Sequence, residues 1–286
     1  MLVSKAFDIH GQTAIVTGAS RGIGKVIAFT LAEAGADVVC VARNEELLNE
    51  TAADIRNLGK KALVVPADIT QEPQVKHVVE QTISHFGKID ILVNNAGDAI
   101  IAAVALNPSD IDIKPAGWKW AHNWGLQDAQ LTLIQWQHIF DVDVTAAFLF
   151  AQAVGPHMMR QRSGNIINIT SIYAEIGCPR AAPYCASKAA LASFTKTLAL
   201  EWAPFNIKVN AIAPGFIRTE MTATYFNDPE WAAALTKNVP QGRVGEPREV
   251  GLLAVYLASA ASTFMTGQSI YLDGGFLAPG RNAMEW

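Results

Sequence analysis

The feature that most restricts this chain is a change of pattern near its start. Thr13–Thr17 (TAIVT) reads as a buried strand that runs straight into Thr17-Gly18-Ala19-Ser20-Arg21-Gly22-Ile23-Gly24, and a helical pattern follows to about Gly35. A glycine at the strand's end permits a tight turn, and later glycines let backbone approach a pyrophosphate and let the helix pack close to the sheet. The helix N-terminus offers N–H groups without intrahelical partners and the positive end of a dipole. Gly18, Ser20, Arg21, Gly22, Ile23 and Gly24 are therefore expected to hold the phosphates of a dinucleotide. A glycine cluster alone is weak evidence, since many strand–helix turns are simply tight. The strand before it and the helix after it supply the context the motif needs.

The same alternation continues along the chain. Strands are expected at Asp37–Ala42, Ala62–Ala67, Ile89–Asn94, Asn165–Thr170, Ile207–Ile212 and Ser269–Leu272. Helices are expected at Glu45–Leu58, Pro73–Phe86, Tyr184–Trp202 and near Pro247–Ala258. Continuous apolar strands, each followed by a helix, indicate a parallel sheet covered on both faces. The expected fold class is α/β: a doubly wound (Rossmann) mostly parallel sheet of about seven strands with helices on both faces. Residues 1–286 are expected to form a single dinucleotide-binding and catalytic domain, with an inserted excursion at 98–135. Connections in such units usually run about 2–6 residues. The excursion carries Trp118, Trp120 and Trp124, which argues for an ordered segment.

Composition excludes several classes of function. Half the residues are apolar and 17% are charged, against about 25% charged in an ordinary soluble domain, which leaves ample core and no case for disorder. The 22 basic and 26 acidic residues sum to −4, so no basic surplus points to nucleic acid or an anionic membrane. Cys40, Cys178 and Cys185 have no CxxC spacing, which fits a reducing, cytoplasmic setting. The six histidines form no HExxH pair, so metal catalysis has no support. The first ten residues carry Asp8 and too short an apolar run for a secretion signal. Val144–Met159 is uncharged but interrupted by Gly155, Pro156 and His157, and it is shorter than the ~20 residues a membrane span needs. It is expected to be a helix buried on most sides, partly by another subunit, in a homodimer or homotetramer.

The end of the second strand discriminates between cofactors. A site for NAD places Asp or Glu there for the ribose hydroxyls. This chain has Ala42-Arg43, and Arg43 with Arg21 can grip a 2′-phosphate through charge-assisted hydrogen bonds. NADP(H) is therefore expected to be favoured over NAD(H). Two solvated arginines, with Glu45 or Glu46 reaching back to the ribose, is the alternative.

Four further motifs stand in chain order: Asn94-Asn95-Ala96-Gly97, Ser171, Tyr184-x3-Lys188 and Pro214-Gly215. With the glycine turn, they give the chain a resemblance to the short-chain dehydrogenase/reductase family, in its common single-domain branch, over roughly Gly11 to Gly275. The chemistry can also be read from the residues. Tyr184 and Lys188 are four apart and share a helix face. An ammonium beside a phenol favours the phenolate. Such a tyrosine can give a proton to a carbonyl as hydride arrives, or take one from an alcohol. Ser171 is expected to hydrogen-bond the same oxygen. Taken singly, Tyr-x3-Lys is an ordinary helix-surface pair; the accompanying motifs reverse that reading.

The resemblance implies further contacts. Tyr184 and Lys188 would also bind cofactor, Lys188 at the nicotinamide ribose. Asp68 would meet the adenine edge with Ile69 beside it. Asn95, Ala96 and Gly97 would pass backbone along the ribose, and Pro214, Gly215, Ile217 and Thr219 would close on the nicotinamide. One departure stands out: Asp143 occupies a position where the family usually has asparagine, thought to hold a proton-relaying water. Asp143 joins the expected catalytic set, either as a harmless substitution or as a weakened relay, because an ionised carboxylate donates no hydrogen bond. The implied activity is NAD(P)(H)-dependent interconversion of a secondary alcohol and a ketone. The substrate would be a small molecule such as a sugar acid or polyol, met by Ile172–Arg180, Arg218–Gln241 and the excursion. A 3-oxoacyl thioester reductase is the alternative, although Arg218–Arg243 shows no net positive dock for an acidic carrier. A dinucleotide-binding regulator without turnover is a third reading.

Overall fold

Strands whose side chains are apolar on both faces need cover on both faces, and this chain provides it. The computed structural model describes residues 2–104, 130–220, 222, 232–233 and 236–278. Its first half runs α1 (Val3–Ala6), β1 (Thr13–Thr17), α2 (Gly22–Glu33), β2 (Asp37–Ala42), α3 (Glu45–Asn57), β3 (Ala62–Pro66), α4 (Glu72–Phe86) and β4 (Ile91–Asn94). The second half runs α5 (Leu133–Phe140), a π-helical turn (Asp141–Thr145), α6 (Ala146–Gln161), β5 (Gly164–Ile169), α7 (Ala182–Trp202), β6 (Ile207–Pro214), α8 (Pro247–Ala258) and β7 (Ser269–Leu272). Among the described residues the strands form one seven-stranded sheet in the order β3-β2-β1-β4-β5-β6-β7. Every pairing is parallel.

Successive residues of β1 feed opposite cores, as the pleat requires. Ala14 and Val16 pack with Ile27 and Leu31 of α2, Leu48 and Ile55 of α3, and Val250 and Ala254 of α8. Ile15 faces the other way, toward Val75 and Val78 of α4, Phe150, Val154 and Met158 of α6, and Leu198 of α7. Burying each such large side chain contributes about 1.5–3 kcal/mol. The doubly wound reading therefore holds in strand number, direction and coverage.

The differences lie at element ends. The fourth strand begins at Ile91, because Ile89 is engaged instead by the Gln161 side chain, through both its N–H (3.2 Å) and its carbonyl (2.8 Å). The sixth strand continues to Pro214, which stands opposite Leu272 of β7. The third ends at Pro66, one residue early, and the fifth is shifted back by one to Gly164–Ile169. The seventh helix starts at Ala182, with Pro183 in its first turn, where a missing N–H costs nothing.

The uncharged run Val144–Met159 is largely a buried helix, as its pattern implies. Pro156 lies inside α6 rather than ending it. A Cβ on Gly155 would stand 2.8 Å from the Trp202 ring, so glycine here lets α6 and α7 meet. Leu133–Gln161 is long and apolar enough (mean hydropathy 1.3) to cross a membrane by composition alone. In the fold, Phe150, Val154 and Met158 have no solvent exposure because they face the sheet.

The excursion is pinned at its base. Ala103 bridges Gln130, Leu131 N–H donates to the Ala103 carbonyl at 2.7 Å, and Ala102 N–H donates to the Arg180 carbonyl at 2.9 Å. Trp118, Trp120 and Trp124 lie outside the described residues.

Lys208, in β6, ties the far edge together. Its Nζ lies near the carbonyls of Leu257 (3.0 Å), Ser259 (3.1 Å) and Ser262 (3.4 Å) and the Ser262 hydroxyl (2.8 Å), at the C-terminal end of α8. Burial pushes its pKa down to about 8, while the surrounding oxygens and the helix dipole favour the ammonium. Lys208→Met removes the donors and leaves those oxygens without them, which costs ~1–3 kcal/mol. Urea midpoints measure this, and a loss below about 0.5 kcal/mol would show that water replaces the ammonium.

Candidate active site

In the sheet order, the chain winds from β1 outward to β2 and β3, then returns to β4 on the other side of β1. The carboxyl ends of β1 and β4 thus flank the switch point, where such sheets leave a crevice for ligands. Gly18 follows β1 with φ of +67°, a conformation that Cβ-bearing residues rarely adopt. Gly24 is forced by proximity: a Cβ there would collide with the Gly18 carbonyl oxygen. Arg21 caps α2 in extended conformation without a side-chain cap bond, and the first bond after it runs from Lys25 N–H to the Arg21 carbonyl (3.2 Å). The intervening N–H groups of Gly22, Ile23 and Gly24 therefore have no intrahelical acceptor. A Cβ on Gly22 would meet nothing within 4 Å, so the approach is open. Ser20 is half-buried in the same turn. The cradle fits a pyrophosphate.

The end of β4 is tied to this turn. Thr17 Oγ1 accepts the backbone N–H groups of Asn95 and Ala96, each at 3.0 Å. The Asn95 side-chain amide donates to the Thr17 carbonyl at 2.9 Å. Asn95 thereby spends its side chain on the scaffold and leaves the backbone of Asn95, Ala96 and Gly97 along the crevice. Behind it, the Asn94 amide donates to Asn168 Oδ1 and the Asn168 amide to Thr195 Oγ1, both at 2.8 Å. This buried chain joins β4, β5 and α7.

Toward β2 and β3, Arg43 is exposed just beyond β2, and Asp68 and Ile69 follow β3. Asp68 Oδ1 accepts from Thr70 N–H (3.0 Å) and Thr70 Oγ1 (2.8 Å). Burial raises the Asp68 pKa, but these bonds, with Arg43 and His138 nearby, leave it below its ordinary value. Ile69 is 9% exposed and joins the core below. Glu45 and Glu46 occupy the first turn of α3, behind the Asn44 cap, where the helix dipole favours their charge.

On the other side of the switch point stand Ser171, Tyr184 and Lys188. Ser171 leaves β5 in extended conformation, and its Oγ accepts Tyr173 N–H at 3.2 Å. Tyr184 lies in the first turn of α7, its ring 6.3 Å edge-on from that of Tyr173. Lys188, one turn further, holds its Nζ 5.5 Å from the Tyr184 ring centre. That Nζ lies 3.2 Å from Asp143 Oδ2 and 3.4 Å from the Ile169 carbonyl. Burial pushes the Lys188 pKa down, but Asp143 and Tyr184 outweigh it and the net direction is upward. Asp143 reaches this position from the π-helical turn, and such turns are frequent at functional sites.

Pro214 ends β6 and Gly215 follows it, with Gly215 N–H bonded to the Leu272 carbonyl at 2.9 Å. A Cβ on Gly215 would stand 2.9 Å from Asp273. Ile217 is buried and bridges Gly245, while the Thr219 hydroxyl is 3.2 Å from that of Thr222. Both hold their own loop.

Three participants are not among the expected site residues. Thr17 reads only as the first residue of the glycine motif, Ser187 as a helix serine, and Asp98 as the start of the excursion. Yet Thr17 Oγ1 links two strand ends, Ser187 Oγ donates to Asp143 at 2.7 Å, and Asp98 N–H donates to Asp143 at 3.1 Å.

Comparisons with known proteins agree on the family and divide on substrate. The family model described as short chain dehydrogenase matches residues 12–230. The 3beta-hydroxysteroid dehydrogenase 1 of Eggerthella lenta is 36% identical, with 96% of this chain and 97% of that protein covered. The 3-oxoacyl-(acyl-carrier-protein) reductase of Thermotoga maritima is 35% identical, with 94% and 99% covered. The structure of a gluconate 5-dehydrogenase from Burkholderia cenocepacia, in complex with NADP and tartrate, superposes with a TM-score of 0.84 at 35% identity, covering 97% and 99%.

Proposed function

Because the chain belongs to the short-chain dehydrogenase family, and is thereby an NAD(P)-dependent oxidoreductase, we propose that it interconverts a secondary alcohol and a ketone with Tyr184 as acid and base. The observations that support this reading are the link from Ser171 through Tyr173 to the Tyr184 ring and the Lys188 ammonium 5.5 Å from that ring. A bound nicotinamide supplies or takes up the hydride. Tyr184 gives the substrate oxygen its proton in reduction and removes it in oxidation. Ser171 Oγ already accepts the Tyr173 N–H, so its own proton is available to the same oxygen. Lys188 holds positive charge beneath the phenol and would hold the cofactor ribose.

A sugar acid or polyol is the favoured substrate, supported by the gluconate 5-dehydrogenase neighbour. A 3-oxoacyl thioester is the second reading, supported by the Thermotoga relative. Turnover on a panel of ketones, sugar acids and acyl thioesters, followed at the nicotinamide absorbance, distinguishes them. No turnover on any class would reject the oxidoreductase assignment at this site.

NADP(H) is the proposed cofactor. Arg43 stands exposed beyond β2 with no carboxylate at the strand's end, and the neighbour binds NADP. Initial rates are expected to favour NADPH over NADH by about tenfold or more, and Arg43→Ala is expected to remove most of that preference, since a charge-assisted contact contributes ~1.5–3 kcal/mol. A clear NADH preference in the unaltered protein would overturn this.

The 286 residues are proposed to form one domain with the excursion as an insertion, and to work as a cytoplasmic homodimer or homotetramer. The free cysteines support the reducing setting. Exposed Phe148 and Leu200, on α6 and α7, support a subunit contact.

A further inference from the structure

Among the described residues the ion pairs lie at the surface, with one exception. The side chains of Lys188 and Asp143 are 5% and 0% exposed. Three donors meet the Asp143 carboxylate: Asp98 N–H on Oδ1 (3.1 Å), with the Ser187 hydroxyl (2.7 Å) and the Lys188 ammonium (3.2 Å) on Oδ2. The Tyr184 carbonyl, 2.9 Å from the Ser187 hydroxyl, is a second acceptor for that proton, and the donor set as a whole suits an anion. The groups that face the Lys188 ammonium are Asp143 from the π-helical turn, the Ile169 carbonyl from β5 and the Tyr184 ring from its own helix. A Cβ on Gly97 would press on both charged groups, 3.0 Å from Nζ and 3.1 Å from Asp143 Oδ1. The pair is therefore enclosed, and its charges cancel inside the site.

That cancellation bears on the cofactor, whose nicotinamide is cationic when oxidised and neutral when reduced. An uncompensated ammonium in a dry site would oppose the oxidised form alone. We propose that Asp143 is the counter-charge of this site: by neutralising Lys188 it sets the relative affinity for oxidised and reduced cofactor. Asp143 is then a positioning residue, acting through Lys188. The inference rests on the nicotinamide-binding reading above.

The test is equilibrium binding without substrate. NADPH is titrated by its fluorescence, and NADP+ by displacement of NADPH, in the unaltered protein, Asp143→Asn and Ser187→Ala. Asp143→Asn keeps shape and removes charge, and it is expected to raise the oxidised-to-reduced Kd ratio about tenfold, the scale of one uncompensated charge in a partly polar medium. Ser187→Ala keeps the carboxylate and is expected to hold the ratio within about twofold. An unchanged ratio in folded Asp143→Asn, or equal shifts in both variants, overturns the proposal. Should Asp143→Asn fail to fold, the unaltered protein decides. A lysine paired with Asp143 keeps the ratio constant through neutral and mildly alkaline pH, and a ratio that changes there overturns the proposal. Failure to bind either form rejects the nicotinamide-binding reading and this inference with it, whereas binding with an unchanged ratio rejects this inference alone.

Discussion

Tyr184→Phe is expected to lower kcat by about 10²- to 10⁴-fold, the usual contribution of a positioned proton donor. Cofactor affinity is expected to stay within a few-fold, because the glycine cradle and Lys188 are untouched. Only the hydroxyl is lost. The phenyl ring can keep its edge-on contact with Tyr173 and its place 5.5 Å from Lys188 Nζ. Thermal stability should therefore change little, which separates loss of chemistry from loss of fold. Retention of a third or more of the activity would remove Tyr184 from proton transfer. Ser171→Ala is the natural companion, since in the proposed mechanism its hydroxyl addresses the same oxygen without carrying the exchanged proton.

Lys188→Met is expected to cost ~3–5 kcal/mol in folding stability, in addition to impairing turnover. The cause is not a lost attraction, since burying both charges consumes most of what their attraction returns. What remains is a carboxylate with no solvent exposure and no counter-ion, facing Ser187 and the Asp98 amide alone. Asp143→Asn in the same chain removes that charge, keeps an acceptor for both donors, and is expected to restore most of the loss. Urea midpoints of the single and double variants measure it. A single-variant loss below about 1 kcal/mol, or no recovery in the double, would show that the pair is not closed to water. The sign with pH follows from the raised Lys188 pKa. The pair's contribution is fully present below the ordinary lysine value of 10.5 and is lost only as pH rises above it through the folded value.

Much of the scaffold was legible because it depends on local pattern. Short apolar runs such as ILVN in β4, each followed by a helical pattern, fit strands covered on both faces, and the turn from Thr17 to Gly24 joins a strand to a helix. Element ends were less legible, since they depend on partners distant in sequence. Ile89 is apolar enough for a strand but is claimed by Gln161, 72 residues away. The helix over Val144–Met159 is expected from its apolar run, but that Gly155 meets Trp202 of the neighbouring helix is not. At the site, Tyr184, Lys188 and Ser171 were named from spacing and motif, and the fold brings them to one end of the sheet. The roles of the Thr17 hydroxyl, Ser187 and the Asp98 N–H were not legible, because such groups acquire their roles only from what stands opposite them.

Asp143 marks the boundary between the two kinds of knowledge. The sequence by itself determined that a carboxylate stands at this position, and with it the strand order of chemistry along the chain: glycine turn, asparagine, serine, tyrosine and lysine. It left open whether that carboxylate is harmless or obstructs a proton relay. The tertiary structure brings Asp143 within 3.2 Å of Lys188, 45 residues later in the chain, and buries both. The physical reason is dielectric. A charge's effect depends on its distance from other charges and on the water excluded around it, and both are properties of packing that no linear spacing contains.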